Sequence, residues 1–126
     1  MLRNKSQCVI ITNNNRVENK YQGDIQVILL DTYLDVLTKV RDKSHEGYAL
    51  LTHPLAGSLK PNQTPYKSIL MERTEDGKID ERSIELIEAA VETYHKFIEL
   101  RELPNYADKI KEDFKTIDLS LIENAF

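Results

Sequence analysis

Two short apolar runs, Cys8-Val9-Ile10-Ile11 and Ile25-Gln26-Val27-Ile28-Leu29-Leu30, set the tightest limit on what this chain can fold into. A strand turns alternate side chains to opposite faces, so a run with little polar alternation is apolar on both and has to be covered on both. Helices that cross over between parallel strands give that cover. The runs predict a first strand over 7–12 and a second over 24–30, with further strands at Tyr48-Ala49-Leu50-Leu51-Thr52 and Ser68-Ile69-Leu70-Met71-Glu72. The segments between them have helical periodicity. Arg16 to Tyr21 reads as a short helix. Thr32 opens a longer one, because Thr32-x-x-Asp35 approximates a capping box and Tyr33, Val36, Leu37 and Val40 then share a face up to the terminator Gly47.

The longest helix begins after the N-cap Asp80, with Ile79 and Ile84 placed for a hydrophobic staple and Ile84, Ile87, Val91, Tyr94 and Ile98 as its apolar stripe. Pro104 prevents simple continuation, and Tyr106, Ile110, Phe114 and Ile117 mark a final amphipathic helix. The expected fold is a small three-layer α/β sandwich with a mostly parallel sheet of about four strands and C-terminal helices, in a single domain over residues 1–126. The third and fourth strands lack a helical crossover, so they pair antiparallel through their long loop or the fourth lies at an edge. Glu75-Asp76-Gly77-Lys78 reads as a turn. The segment 117–126 is more apolar than a free tail, which leaves two expectations: it covers the sheet, or it enters a homodimer interface.

Composition excludes several classes of function. With 40% hydrophobic and 30% charged residues in 126, the chain is ordinary for a folded protein. A net charge of −4 argues against general nucleic-acid affinity, although a local basic patch still suits a small anion. The single cysteine, Cys8, rules out an internal disulfide framework and a thiolate metal centre, and its apolar surroundings predict a small buried strand residue. No apolar run approaches the roughly 20 residues that span a bilayer, and the start leads into too short an apolar stretch for a signal peptide. The expected location is the cytoplasm, away from membranes.

Chemistry concentrates in the loop from Leu51 to Ser68, which holds three of the 4 prolines. Pro54, Pro61 and Pro65 restrict backbone that length alone would leave mobile. In an open α/β sheet, ligands bind beyond the carboxyl ends of the strands, where Thr12-Asn13-Asn14-Asn15, Asp31-Thr32 and this loop would converge if the first three strands run parallel. The expected ligand-binding residues are Thr12, Asn13, Asn14, His53, Gly57, Ser58, Lys60, Thr64, Tyr66 and Lys67. Amides, hydroxyls, glycine backbone and ammonium groups in that set would donate to a small anion such as a phosphate or carboxylate. His53 could serve as acid, base or donor, yet no partner makes it part of a nucleophile–base pair. The GxxxxGK[ST], GxGxxG and GxSxG signatures are absent, the histidines have no zinc spacing, and Glu85, Glu88, Glu92 and Glu99 mostly miss the apolar stripe. No cofactor and no metal is expected. The alternatives are a binding protein and an enzyme acting on a small phosphorylated or carboxylated metabolite through the His53 to Lys67 loop.

Ile10-Ile11-Thr12-Asn13-Asn14, Tyr33-Leu34-Asp35-Val36-Leu37 with Val40-Arg41-Asp42, and above all Leu51-Thr52-His53-Pro54-Leu55-Ala56-Gly57-Ser58-Leu59-Lys60-Pro61-Asn62-Gln63-Thr64-Pro65-Tyr66-Lys67-Ser68 resemble the GrdX family. The similarity runs from about the first strand through the long helix. The family comprises small proteins encoded beside glycine, sarcosine and betaine reductase components in amino-acid-fermenting anaerobes. The resemblance implies an accessory role with those components as partners, and it supplies no catalytic residue.

Overall fold

The computed structural model describes residues 4–55 and 59–126. Its elements follow in the order β1 (Cys8–Thr12), α1 (Asn15–Tyr21), β2 (Gln26–Leu29), α2 (Tyr33–His45), β3 (Tyr48–Leu50), β4 (Ser68–Arg73), α3 (Glu81–Leu100) and α4 (Asp108–Glu123), with short 3-10 turns at Lys5–Gln7 and Glu75–Gly77. The strands form one four-stranded sheet in the order β2-β1-β4-β3. β1 and β2 are parallel, whereas β4 is antiparallel to both β1 and β3.

The sheet is therefore mixed, and the expectation of a mostly parallel one is corrected. With no helix to carry the chain back across the sheet, β4 returns in the opposite sense. It does not lie at an edge: Ile69, Leu70 and Met71 are fully buried, and an interior position satisfies such a run on both faces. β1, β2 and β3 still point the same way, β3 through its antiparallel pairing with the intervening β4, so their carboxyl ends share one edge.

Alternation along β1 and β4 divides the core in two. Val9, Ile11, Ile69 and Met71 face Tyr33, Val36, Leu37 and Val40 of α2 and Ile87 and Ala90 of α3. Cys8, Ile10 and Leu70 face Val17 and Tyr21 of α1, Ile25, and Ile122 of α4. Helices thus cover both faces of the central strands. The C-terminal segment covers the second face, with Leu119 and Ala125 packed around that core and the Phe126 ring stacked on Tyr21 at 5.0 Å.

The caps follow the sequence logic. Thr32 Oγ1 accepts from the Asp35 amide at 3.0 Å, and the Asp80 carboxylate accepts from the Ser83 amide at 3.3 Å. The stripe of α3 differs by a small rotation: Ser83, Ile87 and Ala90 are its buried residues, Ile84 is partly exposed, and the staple residue Ile79 is exposed. The reason is polar. Ser83 Oγ accepts from the Leu50 amide at 2.9 Å, satisfying a backbone donor of the short edge strand β3. Val91 and Tyr94 pack on the core from its margin. Val91→Ala is expected to lower the unfolding free energy by about 1 kcal/mol, since a partly buried side chain loses only part of its transfer energy. An unchanged urea midpoint would contradict that packing. Among the described residues, no helix is long and apolar enough to cross a membrane.

Candidate functional site

The carboxyl-end edge is organised by a buried polar chain. Thr12 ends β1 and pairs in register with Ser68, the first residue of β4. Their hydroxyls lie 2.6 Å apart, and Ser68 Oγ donates to Asp118 Oδ2 of α4 at 2.7 Å. Asn14 Nδ2 donates to the same oxygen at 3.0 Å and to the Lys115 carbonyl at 2.9 Å, while its Oδ1 caps α1 through the Arg16 amide at 3.1 Å. Thr12, Asn14, Ser68 and Asp118 are all buried.

Asp118 and Lys67 line one cavity of about 260 Å³, between Thr52 and His53, the segment 59–68, the start of α2 and the inner side of α4. Tyr33, Thr52, His53, Thr64, Tyr66 and Ser68 contribute to its wall, as do Phe114, Ile117 and Leu121. Burial raises the Asp118 pKa above its ordinary carboxylate value, a rise opposed by the donors from Ser68 and Asn14 and by the charge of Lys67. Burial lowers that of Lys67, which Asp118 partly counters. The Tyr33 phenol is pushed up, first by burial and then by the nearby charges of Asp118 and Tyr94.

These directions set opposite pH trends. A carboxyl with a raised folded pKa contributes stability that is full below its ordinary 3.8 and is lost as pH rises through the folded value. For Lys67, with a lowered folded pKa, the contribution is full above 10.5 and is lost as pH falls through the folded value. The stability of the parent relative to Asp118→Asn is therefore expected to fall as pH rises above 3.8, read from urea midpoints between pH 4 and 7; a constant difference would contradict a carboxyl pKa raised by burial.

The cavity brings together four of the expected binding residues, His53, Thr64, Tyr66 and Lys67. Thr12 and Asn14 stand behind it, joined to its wall through Ser68 and Asp118. Asn13 is committed to structure: Nδ2 donates to the Pro65 carbonyl at 2.7 Å and Oδ1 accepts from the Lys67 amide at 2.9 Å, clamping the loop to the end of β1. Lys60 is exposed outside the cavity lining, with its ammonium 5.8 Å from the Phe97 ring centroid. Gly57 and Ser58 lie outside the described residues. His53 is exposed, and its Nδ1 accepts from the Leu55 amide at 3.0 Å, which leaves Nε2 as the nitrogen free to act as donor.

Prolines are only part of what holds the loop. Asn62 Nδ2 donates to the Phe97 carbonyl at 3.0 Å near the end of α3, and Tyr106 Oη donates to the Gln63 carbonyl at 2.7 Å. Sequence reasoning missed Asp118 and Tyr33. The signal for Asp118 was its spacing, one helical turn after Phe114 and one before Ile122, which puts a carboxylate on the inward face of α4. The α3 glutamates Glu85, Glu88, Glu92 and Glu99 are exposed. Among the described residues, no three His, Cys, Asp or Glu side chains are grouped to hold a metal ion.

A family model described as GrdX-like protein matches residues 9–126. Neither a curated protein nor a solved structure matches the chain.

Proposed function

The chain belongs to the GrdX-like protein family, and from that premise we propose that it is a cytoplasmic accessory protein of glycine, sarcosine or betaine reductase that binds a small ligand bearing an anionic group. The observation that carries the ligand reading is the cavity with Lys67 in its wall, at the carboxyl-end edge where α/β sheets bind their ligands. A volume of about 260 Å³ falls just below the roughly 300–1,000 Å³ of pockets for drug-sized molecules, which suits a small metabolite better than a nucleotide. The accessory reading is preferred to the enzyme reading because the imidazole in the wall, His53, already holds a backbone amide on Nδ1, and the Ser68 hydroxyl donates to the Asp118 carboxylate rather than to an imidazole.

Mixing the purified chain with individual reductase components tests the partner assignment: co-elution of a complex is expected, without substrate turnover by the chain alone. Turnover of a small metabolite by the isolated chain, lost in His53→Ala, would instead establish the enzyme. Calorimetry with phosphate and acetate tests the ligand assignment. Lys67→Gln should weaken binding of whichever anion binds by about tenfold, the size of a charge-assisted hydrogen bond, and Lys60→Ala should change it little. Equal affinity in the Lys67 variant and the parent would remove Lys67 from the site.

A further inference from the structure

Asp118 does not fit a pocket made for a simple anion. A ligand carboxylate beside Asp118 meets a like charge that opposes it about as strongly as Lys67 at a similar distance attracts it. A site selected only for a carboxylate or phosphate would not keep a buried carboxylate in the same wall as its ammonium. Nor would a site for a simple cation keep Lys67. Asp118 is also a fixed feature of the wall, because Ser68 Oγ and Asn14 Nδ2 both donate to Oδ2, and Asn14 is itself anchored to the Lys115 carbonyl.

We propose that this cavity binds a dipolar ligand, a small amino acid, with its ammonium toward Asp118 and its carboxylate toward Lys67. The inference rests on the ligand-pocket reading above and changes the ligand class from an anion to a zwitterion. Each charge of such a ligand meets its opposite in the wall, and the pair of protein charges that burial penalises gains a second pair of partners. The remaining wall suits the rest of the molecule. Tyr33, Tyr66 and Phe114 add aromatic surface to the wall, and Ile117, Leu121 and Ile122 add apolar surface that suits a side chain. Tyr33 belongs to the same electrostatic group, since the Asp118 charge acts on its phenol.

The test is calorimetry on the full chain with three matched sets of probes: glycine, acetate and methylamine; valine, 3-methylbutanoate and isobutylamine; phenylalanine, 3-phenylpropionate and phenethylamine. Each set holds the carbon frame nearly constant and removes one charge at a time. The expected result is that the amino acid of at least one set binds about tenfold or more tighter than both of its single-charge analogues. Asp118→Asn should then weaken that amino acid by about tenfold and bring its carboxylic acid level with it. The parent comparison needs no variant, so instability of Asp118→Asn leaves it decisive. A carboxylate binding as tightly as its amino acid would overturn the dipolar assignment while leaving an anion pocket. An amine binding as tightly would overturn both. No amino acid bound at millimolar concentration would also overturn the assignment, even if phosphate binds or a reductase component associates.

Discussion

Gly47→Ala is expected to destabilise the fold by about 2–5 kcal/mol, combining left-handed backbone strain with overpacking. Gly47 follows the C-cap of α2 with φ +93°, a conformation that costs an L-residue energy wherever it occurs. Space adds a second penalty. A Cβ on Gly47 would lie 2.5 Å from the Gly77 carbonyl oxygen and 2.8 Å from its carbon, so the obstacle is backbone and no side chain can swing aside. The strand cannot easily move away either, because the Gly47 carbonyl accepts from both the amide and the hydroxyl of Thr74, at 2.8 and 2.9 Å. Two other glycines separate the causes. Gly77 has φ +68° and open space around its missing Cβ, so alanine there should cost only the strain, about 1–2 kcal/mol. Gly23 has neither constraint, and Gly23→Ala should be neutral or stabilising by up to about 1 kcal/mol. Denaturant midpoints falling in the order Gly23, Gly77, Gly47 are the expected outcome; a Gly47 variant no less stable than the Gly77 variant would refute the steric part.

Gly47 also shows what a sequence of this kind reveals. Its role as the terminator of α2 was legible, because glycine after a cationic last turn is a local signal. Its approach to Gly77 was not, because nothing local links residues 30 positions apart in chain order. The same division runs through the fold. Strands and helices appear close to where periodicity and caps put them, since Thr32, Asp80 and the apolar runs act on their neighbours. The insertion of β4 between β1 and β3 depends on which unpaired edge an apolar run of Ile69, Leu70 and Met71 can reach, and that is a property of the assembled sheet. At the candidate site, the loop was legible from its prolines and polar side chains. The roles within it were harder to read: Asn13 resembles a ligand amide in sequence and acts as a clamp in the structure. Asp118 lies 51 positions after Lys67, on a helix whose docking brings the two charges into one wall.

Asn14 is where those two levels meet, and its replacement gives the second large expected effect. Asn14→Ala should cost about 2–4 kcal/mol, from the lost N-cap of α1 and from buried groups left without partners. The side chain is fully buried and serves three groups at once: the Arg16 amide, the Lys115 carbonyl and Asp118. Its loss loosens α1 and removes one of the donors that hold the buried carboxylate. Asn14→Asp separates the cap from the donor. Aspartate caps a helix as well as asparagine does, so the Arg16 contact survives. The new carboxylate, however, stands at hydrogen-bond distance from Asp118 Oδ2, where the asparagine donor sits at 3.0 Å, and two like charges there cannot both ionise cheaply. One of them has to keep a proton in the folded state. Its folded pKa is then raised, so its stabilising contribution is present in acid and is lost as pH rises through that value. Asn14→Asp should therefore be less stable than Asn14→Ala at pH 7 and should recover toward pH 4, with a steeper fall in urea midpoint with rising pH than the parent shows. An alanine variant within about 0.5 kcal/mol of the parent would show that Asn14 does not tie α1 to α4, since that is the spread of an inconsequential surface change. An aspartate variant with the parent's pH slope would show that its carboxylate does not meet Asp118.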